Sequence, residues 1–334
     1  MEELSEKDNA RRDEIIGMLE ANKQIVLTGA PGTGKTYLAK EIAEYLVRGN
    51  EQRYKQVQFH PGYDYSDFVI GLKPVLLDVK TGKKLAPGVN SANGVAVSYE
   101  WRSGVFKEFT EKALKAYKED CAVSLDYDKI RKYVLVIDEI NRADLSRVFG
   151  ELFSLLESDY RFMIRDSKEL NADGIVLLNG ERFVIPENLY IIGTMNDIDR
   201  SVGSMDFALR RRFAWREVTA EESADIIEKK LGAESPLVKP LQDAMRVLNA
   251  YIGGSRKITI EHKSFSLNLG PEYKIGGAIF ANAKKYPERG EAVAKAGLWK
   301  NYIRNILSEY LRGNQYRKEI LSGIAKELFG IYEV

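Results

Sequence analysis

Cysteine is almost absent. Cys121 is the single one in 334 residues, so no intrachain disulfide and no cysteine metal cluster can form. Such usage points to a reducing compartment, and the expected location is the cytoplasm. Histidine is nearly as scarce, with only His60 and His262. Two distant histidines without cysteine partners argue against a zinc site. Neither sign of charge dominates: 50 Lys and Arg stand against 49 Asp and Glu, a net charge of +1. No global field therefore advertises a nucleic-acid surface, and any basic groove would have to be local. No uninterrupted apolar stretch is long enough to cross a bilayer, so no membrane partner is expected. The charged opening Met1-Glu2-Glu3-Leu4-Ser5-Glu6 lacks the apolar core of a signal peptide. There is no internal repeat and no low-complexity tract.

Hydrophobic residues at 44% and charged residues at 30% describe a globular chain, long enough for two packed units. Residues 5 to 22 read as an amphipathic helix with Ile15, Ile16 and Leu19 on its apolar side. Gln24 to Thr28 is a short apolar run that ends in a glycine-rich loop. A helix follows, with Leu38, Ile42, Ala43 and Leu46 at helical spacing. Further strands are expected at Val57–His60, Tyr133–Ile137 and Leu189–Ile192, and helices at Val105–Tyr117 and Leu145–Leu156. The segment 78 to 95, rich in Gly, Lys, Asn and Ser, reads as an exposed loop or hairpin insertion. Ile175 to Ile185, broken at Asn179-Gly180, carries a hairpin signal. After residue 217 long helical patterns dominate, at 220–231, 236–251 and 296–312. The expected fold is α/β: a doubly wound parallel sheet over 24–216 with an insertion near 76–100. An N-terminal helix within 1–23 precedes it, and a smaller, mostly helical lid over 217–334 follows it.

The loop reads Gly29-Ala30-Pro31-Gly32-Thr33-Gly34-Lys35-Thr36. A polyphosphate needs many donors at close range, and glycines let main-chain N–H groups turn inward. Lys35 is placed to reach the β- and γ-phosphates and Thr36 to offer a hydroxyl to Mg²⁺. The following helix adds its positive N-terminal end. A strand before and a helix after separate this loop from a chance glycine turn. The run Val134-Leu135-Val136-Ile137-Asp138-Glu139 ends a buried strand in two carboxylates. Asp138 suits Mg²⁺, and Glu139 suits the general base that polarises an attacking water. Taken alone, such a pair could be a plain acidic strand end.

Ile191 to Asn196 ends another buried strand on a polar side chain, which could orient the lytic water or touch the γ-phosphate. Arg210-Arg211-Arg212 then form a basic run. It reads as a solvated turn, a nucleic-acid patch, or an arginine finger for a neighbouring subunit's nucleotide. Its place after a sensor-like strand and before a helical lid favours the finger. Glu228-Lys229-Lys230 fits a nuclease tripeptide but sits in a charged helical pattern, so it reads as a surface face. Lys80, Lys83 and Lys84 could touch DNA or simply be solvated, and Tyr63, Tyr65 and Phe68 read as packing residues rather than base-stacking platforms.

These stretches together resemble AAA+ proteins, and within them the McrB family, the nucleotide-driven subunit of modification-dependent restriction systems. The resemblance runs through Phe59-His60-Pro61-Gly62-Tyr63-Asp64-Tyr65-Ser66-Asp67-Phe68, Ser103 to Phe109, and Asp138-Glu139-Ile140-Asn141-Arg142-Ala143. Its most specific part is Gly193-Thr194-Met195-Asn196-Asp197-Ile198-Asp199-Arg200-Ser201, similar to the family's Met-Asn-x-x-Asp signature. Ile275-Gly276-Gly277 and Trp299 to Leu311 look like its helical lid. The resemblance implies that Gly29, Pro31, Gly32, Thr33, Gly34, Lys35 and Thr36 form the Walker A loop, and Asp138 and Glu139 the Walker B pair. It also implies that Asn196 is the sensor, that Asp199 and Arg200 are the signature's polar end, and that Arg211 and Arg212 lie in the finger region. It implies hexameric rings that hydrolyse GTP or ATP with Mg²⁺, paired with a McrC-like nuclease subunit, DNA being met indirectly or through the ring. Two departures stand out. About 23 residues precede the first strand, too few for a modified-DNA reader, as in a short form, a fragment or a system whose reader is on another chain. Asn196-Asp197-Ile198-Asp199 stands where Asn-Thr-Ala-Asp is expected.

Two other readings compete. One is a protein-remodelling ATPase of the MoxR or dynein-related kind, without a nuclease, against which the Met-Asn-x-x-Asp stretch argues. The other is a nucleotide-gated scaffold that hardly hydrolyses, against which Glu139 and the arginine run argue.

Overall fold

The computed structural model describes residues 6–86, 94–198, 207–260, 262–286 and 290–332. The chain divides into two compact units, each woven from separate stretches. The first takes Met1–Val26, Ala39–Gly193 and Ser201–Ala214; the second takes Leu27–Leu38, Thr194–Arg200 and Trp215–Val334. An expected division at 216/217 follows chain order. The compact units group the glycine loop with the C-terminal helices, from which Gly276 and Ala278 bond to it.

The strands are β1 (Gln24–Thr28), β2 (Tyr54–Gln58), β3 (Ile70–Asp78), β4 (Val95–Ser103), β5 (Tyr133–Asp138), β6 (Met163–Arg165), β7 (Lys168–Leu170), β8 (Ile175–Val176), β9 (Arg182–Phe183), β10 (Leu189–Thr194), β11 (Ala214–Glu217), β12 (Ile258–Ile260) and β13 (Lys263–Phe265). Five of them form one sheet in the order β11-β1-β10-β5-β2. β10 and β5 pair parallel, Leu189 opposite Tyr133, and β5 and β2 pair parallel, Val134 opposite Tyr54. The aliphatic run of β5 is buried on both faces, as a central parallel strand requires. β2 begins three residues earlier than its apolar signal, because as an edge strand it exposes Lys55 and Gln56.

Within the first unit, helix Glu6–Asn22 buries Ile15 and Leu19. It stops at Lys23, whose φ of 66° is left-handed and whose N–H bonds to the Leu19 carbonyl at 2.7 Å. Helix Val105–Val123 carries Phe106 into an aromatic cluster. There Phe68 stacks on Phe106 at 4.8 Å between centroids and meets Phe149 at 5.0 Å. Phe59 stacks on Tyr63 at 4.8 Å. Tyr63 and Phe68 thus serve packing. The stretch expected as one helix over Leu145–Leu156 is interrupted at Gly150, φ 52°, giving helical pieces Leu145–Phe149 and Phe153–Leu156 around a tight turn.

The insertion is longer than its loop-like composition suggested. β3 and β4 form a nine-residue antiparallel ladder with Leu72 opposite Trp101 and Leu76 opposite Val97. Gly71 and Pro74 had masked the strand pattern, and the tip, 87–93, lies outside the described residues. Leu72, Leu76, Val97, Tyr99 and Trp101 are all exposed on this hairpin. The hairpin expected near Asn179-Gly180 is present as the short pair β8 and β9.

The second unit holds helices Asp225–Leu231, Val238–Ile252, Gly290–Leu298, Arg304–Tyr310 and Arg317–Phe329, with a π turn at Trp299–Ile303. Leu241, Met245, Leu248 and Ile252 at helical spacing face Trp299, Ile303, Leu307 and Ile324 in one core. Each such aliphatic side chain contributes about 1.5–3 kcal/mol by leaving water. Helix Arg317–Phe329 and the small hairpin β12–β13 were not expected. No helix among the described residues is long and apolar enough to cross a membrane.

Candidate functional site

β1 runs into the glycine loop, which lies in the second unit, and helix Lys35–Leu46 begins on the loop's last lysine. Gly29 has φ 140° and Gly34 φ 85°, a region in which a Cβ is strained. Space forbids a side chain as well: a Cβ on Gly29 would lie 2.3 Å from the Val218 carbonyl oxygen. Lys35 is buried. Its Nζ donates to the Gly29 and Ala30 carbonyls, each at 2.9 Å, and lies 3.4 Å from Thr33 Oγ1. Thr36 stands exposed on the first turn of the helix.

The loop is closed from one side by a distant segment of the same unit. The Gly276 N–H donates to the Pro31 carbonyl at 2.9 Å, and the Ala278 N–H to the Gly32 carbonyl at 3.0 Å. Gly276 has ordinary dihedrals, but a Cβ there would lie 2.3 Å from the Gly32 backbone. The Gly277 N–H donates to Ser223 Oγ at 2.8 Å. Ile275-Gly276-Gly277 is therefore a backbone-to-backbone seat for the phosphate loop.

After β10, Asn196 is half-buried. Asp197 follows, its N–H directed at the Gly29 carbonyl at 3.5 Å. Burial holds the Asp197 carboxyl above the ordinary carboxylate range; Glu217 and Glu272 add to this, while Lys35 and the loop's amide contact oppose it. The motif points to Asn196 and gives no role to Asp197. The sequence signal for Asp197 is the departure from the expected signature at that position. Asp199 and Arg200 lie outside the described residues.

In the first unit, β5 ends at Asp138, and Glu139 adopts a left-handed conformation, φ 53° and ψ 48°. This breaks the strand's alternation at the second carboxylate, at a cost of about 1–3 kcal/mol for a non-glycine residue. Glu139 is 18% exposed and its Oε2 lies 3.3 Å from Arg142 Nε. Asn141 is buried on the turn that follows. Among the arginines, Arg210 and Arg211 are exposed, whereas Arg212 is 15% exposed and pairs with Glu157 at 2.8 Å.

The model of the AAA domain, dynein-related subfamily, matches residues 24–213, from the first residue of β1 to just past the arginine run. Among curated proteins the chain is 36% identical to the "Type IV methyl-directed restriction enzyme EcoKMcrB subunit" of Escherichia coli K12, over 80% of this chain and 49% of that protein. It is 31% identical to the "Type II restriction enzyme BsuMI component YdiS" of Bacillus subtilis 168, over 59% of this chain and 57% of that protein. The chain belongs to the AAA domain family, in its McrB-like branch. It spans about half the length of the curated relatives it matches.

An AAA domain with this loop is a P-loop NTPase, and the α/β fold expected from sequence is the one found. The dynein-related label and the restriction relatives attach to the same chain, so the sequence-level contrast between those two readings does not hold as a contrast between families. Among the described residues of this AAA domain no group of three His, Cys, Asp or Glu could hold a metal. A nucleotide-bound Mg²⁺ asks for less: one or two hard protein oxygens beside phosphate and water. The Thr36 hydroxyl and the Asp138 carboxylate are of that type. Glu228-Lys229-Lys230 lies on helix Asp225–Leu231, with Lys229 paired to Asp225 at 3.2 Å and Lys230 over the Tyr37 ring, a charged helix face. On the hairpin, Lys84 pairs with Glu100, which also pairs with Arg102, so part of that basic charge is neutralised.

Proposed function

We propose that the chain is the nucleotide-hydrolysing motor of a restriction system, acting as a ring and driving a McrC-like nuclease partner against modified or foreign DNA. The observation that carries the reading is the phosphate loop: a buried Lys35 at a helix start, donating to the loop's own Gly29 and Ala30 carbonyls, between glycines that tolerate no side chain. The restriction-subunit names of both relatives support the setting.

In this reading Lys35 and the loop's N–H groups hold the β- and γ-phosphates of GTP or ATP. Glu139 accepts a proton from the water that attacks the γ-phosphorus, and Asn196 orients that water. The bond to the β,γ-bridging oxygen breaks, and the nucleoside diphosphate leaves with that oxygen's charge. Thr36 and Asp138 would hold Mg²⁺, which when bound offsets the charge on the phosphate oxygens. Arg211, exposed, supplies the finger to a neighbouring subunit; Arg212, tied to Glu157 in its own chain, is the less suited of the two.

Side-by-side GTP and ATP turnover on the assembled protein, with and without the partner, tests this. Glu139→Gln should keep nucleotide binding and lose turnover by about 10²–10⁴-fold, the usual worth of a general base. Turnover that is slow in wild type under every condition would instead mark a nucleotide-gated scaffold. Brisk turnover with no nuclease in the natural complex would favour a remodelling ATPase, a reading that the dynein-related match keeps in view.

A further inference from the structure

Arg161 is one of the largest fully buried side chains in the protein, 1% exposed. Its acceptors among the described residues are all neutral. They are the carbonyls of Leu156 at 3.4 Å, Pro186 at 3.4 Å and Leu189 at 3.1 Å, and Gln24 Oε1 at 2.7 Å. Burial pushes its pKa down to about 9. A guanidinium can only donate, so it dictates which end of the Gln24 amide faces it. The amide oxygen turns to Arg161, and the NH₂ is left to point the other way. There it meets the main-chain carbonyl of Arg212 at 2.7 Å. Gln24 is itself 2% exposed, so this orientation has no water to relax it.

The side chain of Arg212 is tied back to the same region, pairing with Glu157 at 2.8 Å. Glu157 opens the short turn that leads to Arg161, whose N–H bonds to the Ser158 carbonyl at 3.2 Å. Arg212 is thus fixed at both its backbone and its side chain. Its neighbour Arg211 stays exposed, at the rim of a surface cleft of about 430 Å³ that Asn22, Glu157 and Asp159 also line.

We propose that Gln24 and Arg161 are positioning residues: together they hold the main chain at Arg212 so that Arg211 is presented at a set place for a neighbouring subunit's nucleotide. This rests on the reading of Arg211 as the finger. Nothing in the motif sequence marks either residue, since one opens an ordinary strand and the other lies in a loop.

Gln24→Glu separates positioning from folding. It keeps an oxygen for Arg161 and adds a charge that favours it, but it replaces the N–H facing the Arg212 carbonyl with an oxygen. The expected result is a folded protein melting no lower than wild type, with an unchanged Kd for a fluorescent nucleotide analogue. Its kcat should fall by about 10²-fold, the usual cost of a misplacement of roughly 1 Å. Mixing Gln24→Glu with an excess of Glu139→Gln subunits, which keep their own arginine run, should restore turnover per Gln24→Glu subunit. The double variant with Arg211→Ala should be no slower than Arg211→Ala alone. Glu157→Gln, which loosens the Arg212 side chain instead, should give a milder loss of kcat with the same unchanged Kd.

If Arg211→Ala turns over like wild type, the finger reading itself fails and takes this one with it. If Arg211→Ala is slow while folded Gln24→Glu is as fast as wild type, the finger stands and the relay is wrong. The relay is also wrong if the two losses multiply in the double variant, or if mixing restores nothing.

Discussion

Lys35 and Arg161 are both buried cations, and both donate to carbonyl oxygens. They differ in the form of the donor. Lys35 ends a flexible stem in a compact ammonium that two or three loop oxygens can hold and a phosphate can take over. Arg161 ends in a planar fork whose N–H groups reach four separate acceptors at once, so it cannot turn without breaking several bonds. In the proposed reading the first moves its charge to a ligand; the second locks chain segments far apart in sequence. A buried cation thus says little by itself; the number and spread of its acceptors say what it is for.

Substituting each should break a different property. Lys35→Ala is expected to cut GTP or ATP turnover by roughly 10²–10³-fold, the range for losing one donor to developing charge. Its melting temperature should fall less than that of an Arg161 variant, since the acceptors that lose a donor lie close together in one loop. Equal loss of melting temperature in Lys35→Ala and in an Arg161 variant would collapse the contrast. Arg161→Met should cost about 3 kcal/mol in urea unfolding, because carbonyls and the Gln24 amide oxygen lose their donors in a dry site. Arg161→Lys should recover less than half of that, as one ammonium cannot span the four acceptors. Gly276→Ala tests the loop's seat: overpacking against the Gly32 backbone should cost about 1–3 kcal/mol and raise the nucleotide Kd, measured by melting and by titration.

The smallest effect concerns Lys23, close to Arg161. Burial lowers its pKa from 10.5 to about 8, with Arg161 and Lys132 adding and Glu187 and Glu20 opposing. Its Nζ donates to the Tyr127 hydroxyl at 2.6 Å. Below pH 8 both folded and unfolded chains carry the proton, and the cost of burying the ammonium is fully present. Between pH 8 and 10.5 the folded chain gives up the proton first, so the unfolded chain binds more protons and stability rises with pH. Urea midpoints measured from pH 7 to 9.5 should climb in wild type and lose that climb in Lys23→Met.

Much of this could be read before the structure. β5 and β10 announced themselves because a strand buried on both faces admits only apolar residues. The phosphate loop announced itself because its geometry admits only glycine at fixed spacing. Gln24 and Arg161 were silent, since a contact across 137 positions leaves no local pattern. The β3–β4 ladder hid because its exposed face is apolar, which defeats the usual alternation. The break at Gly150 was missed because a helical period continues on either side of it. Which arginine is tied and which is exposed also lay beyond sequence, as three identical side chains in a row differ only in their partners.

The seat that Gly276 and Ala278 offer to Pro31 and Gly32 has a consequence for biosynthesis. The ribosome finishes the glycine loop some 240 positions before it adds the residues that brace it. Over that span a nascent chain therefore carries its most recognisable motif without the scaffold that shapes it. Nucleotide competence should arrive only once that brace is made, and a chain released near residue 217 should emerge with the motif intact and the grip missing.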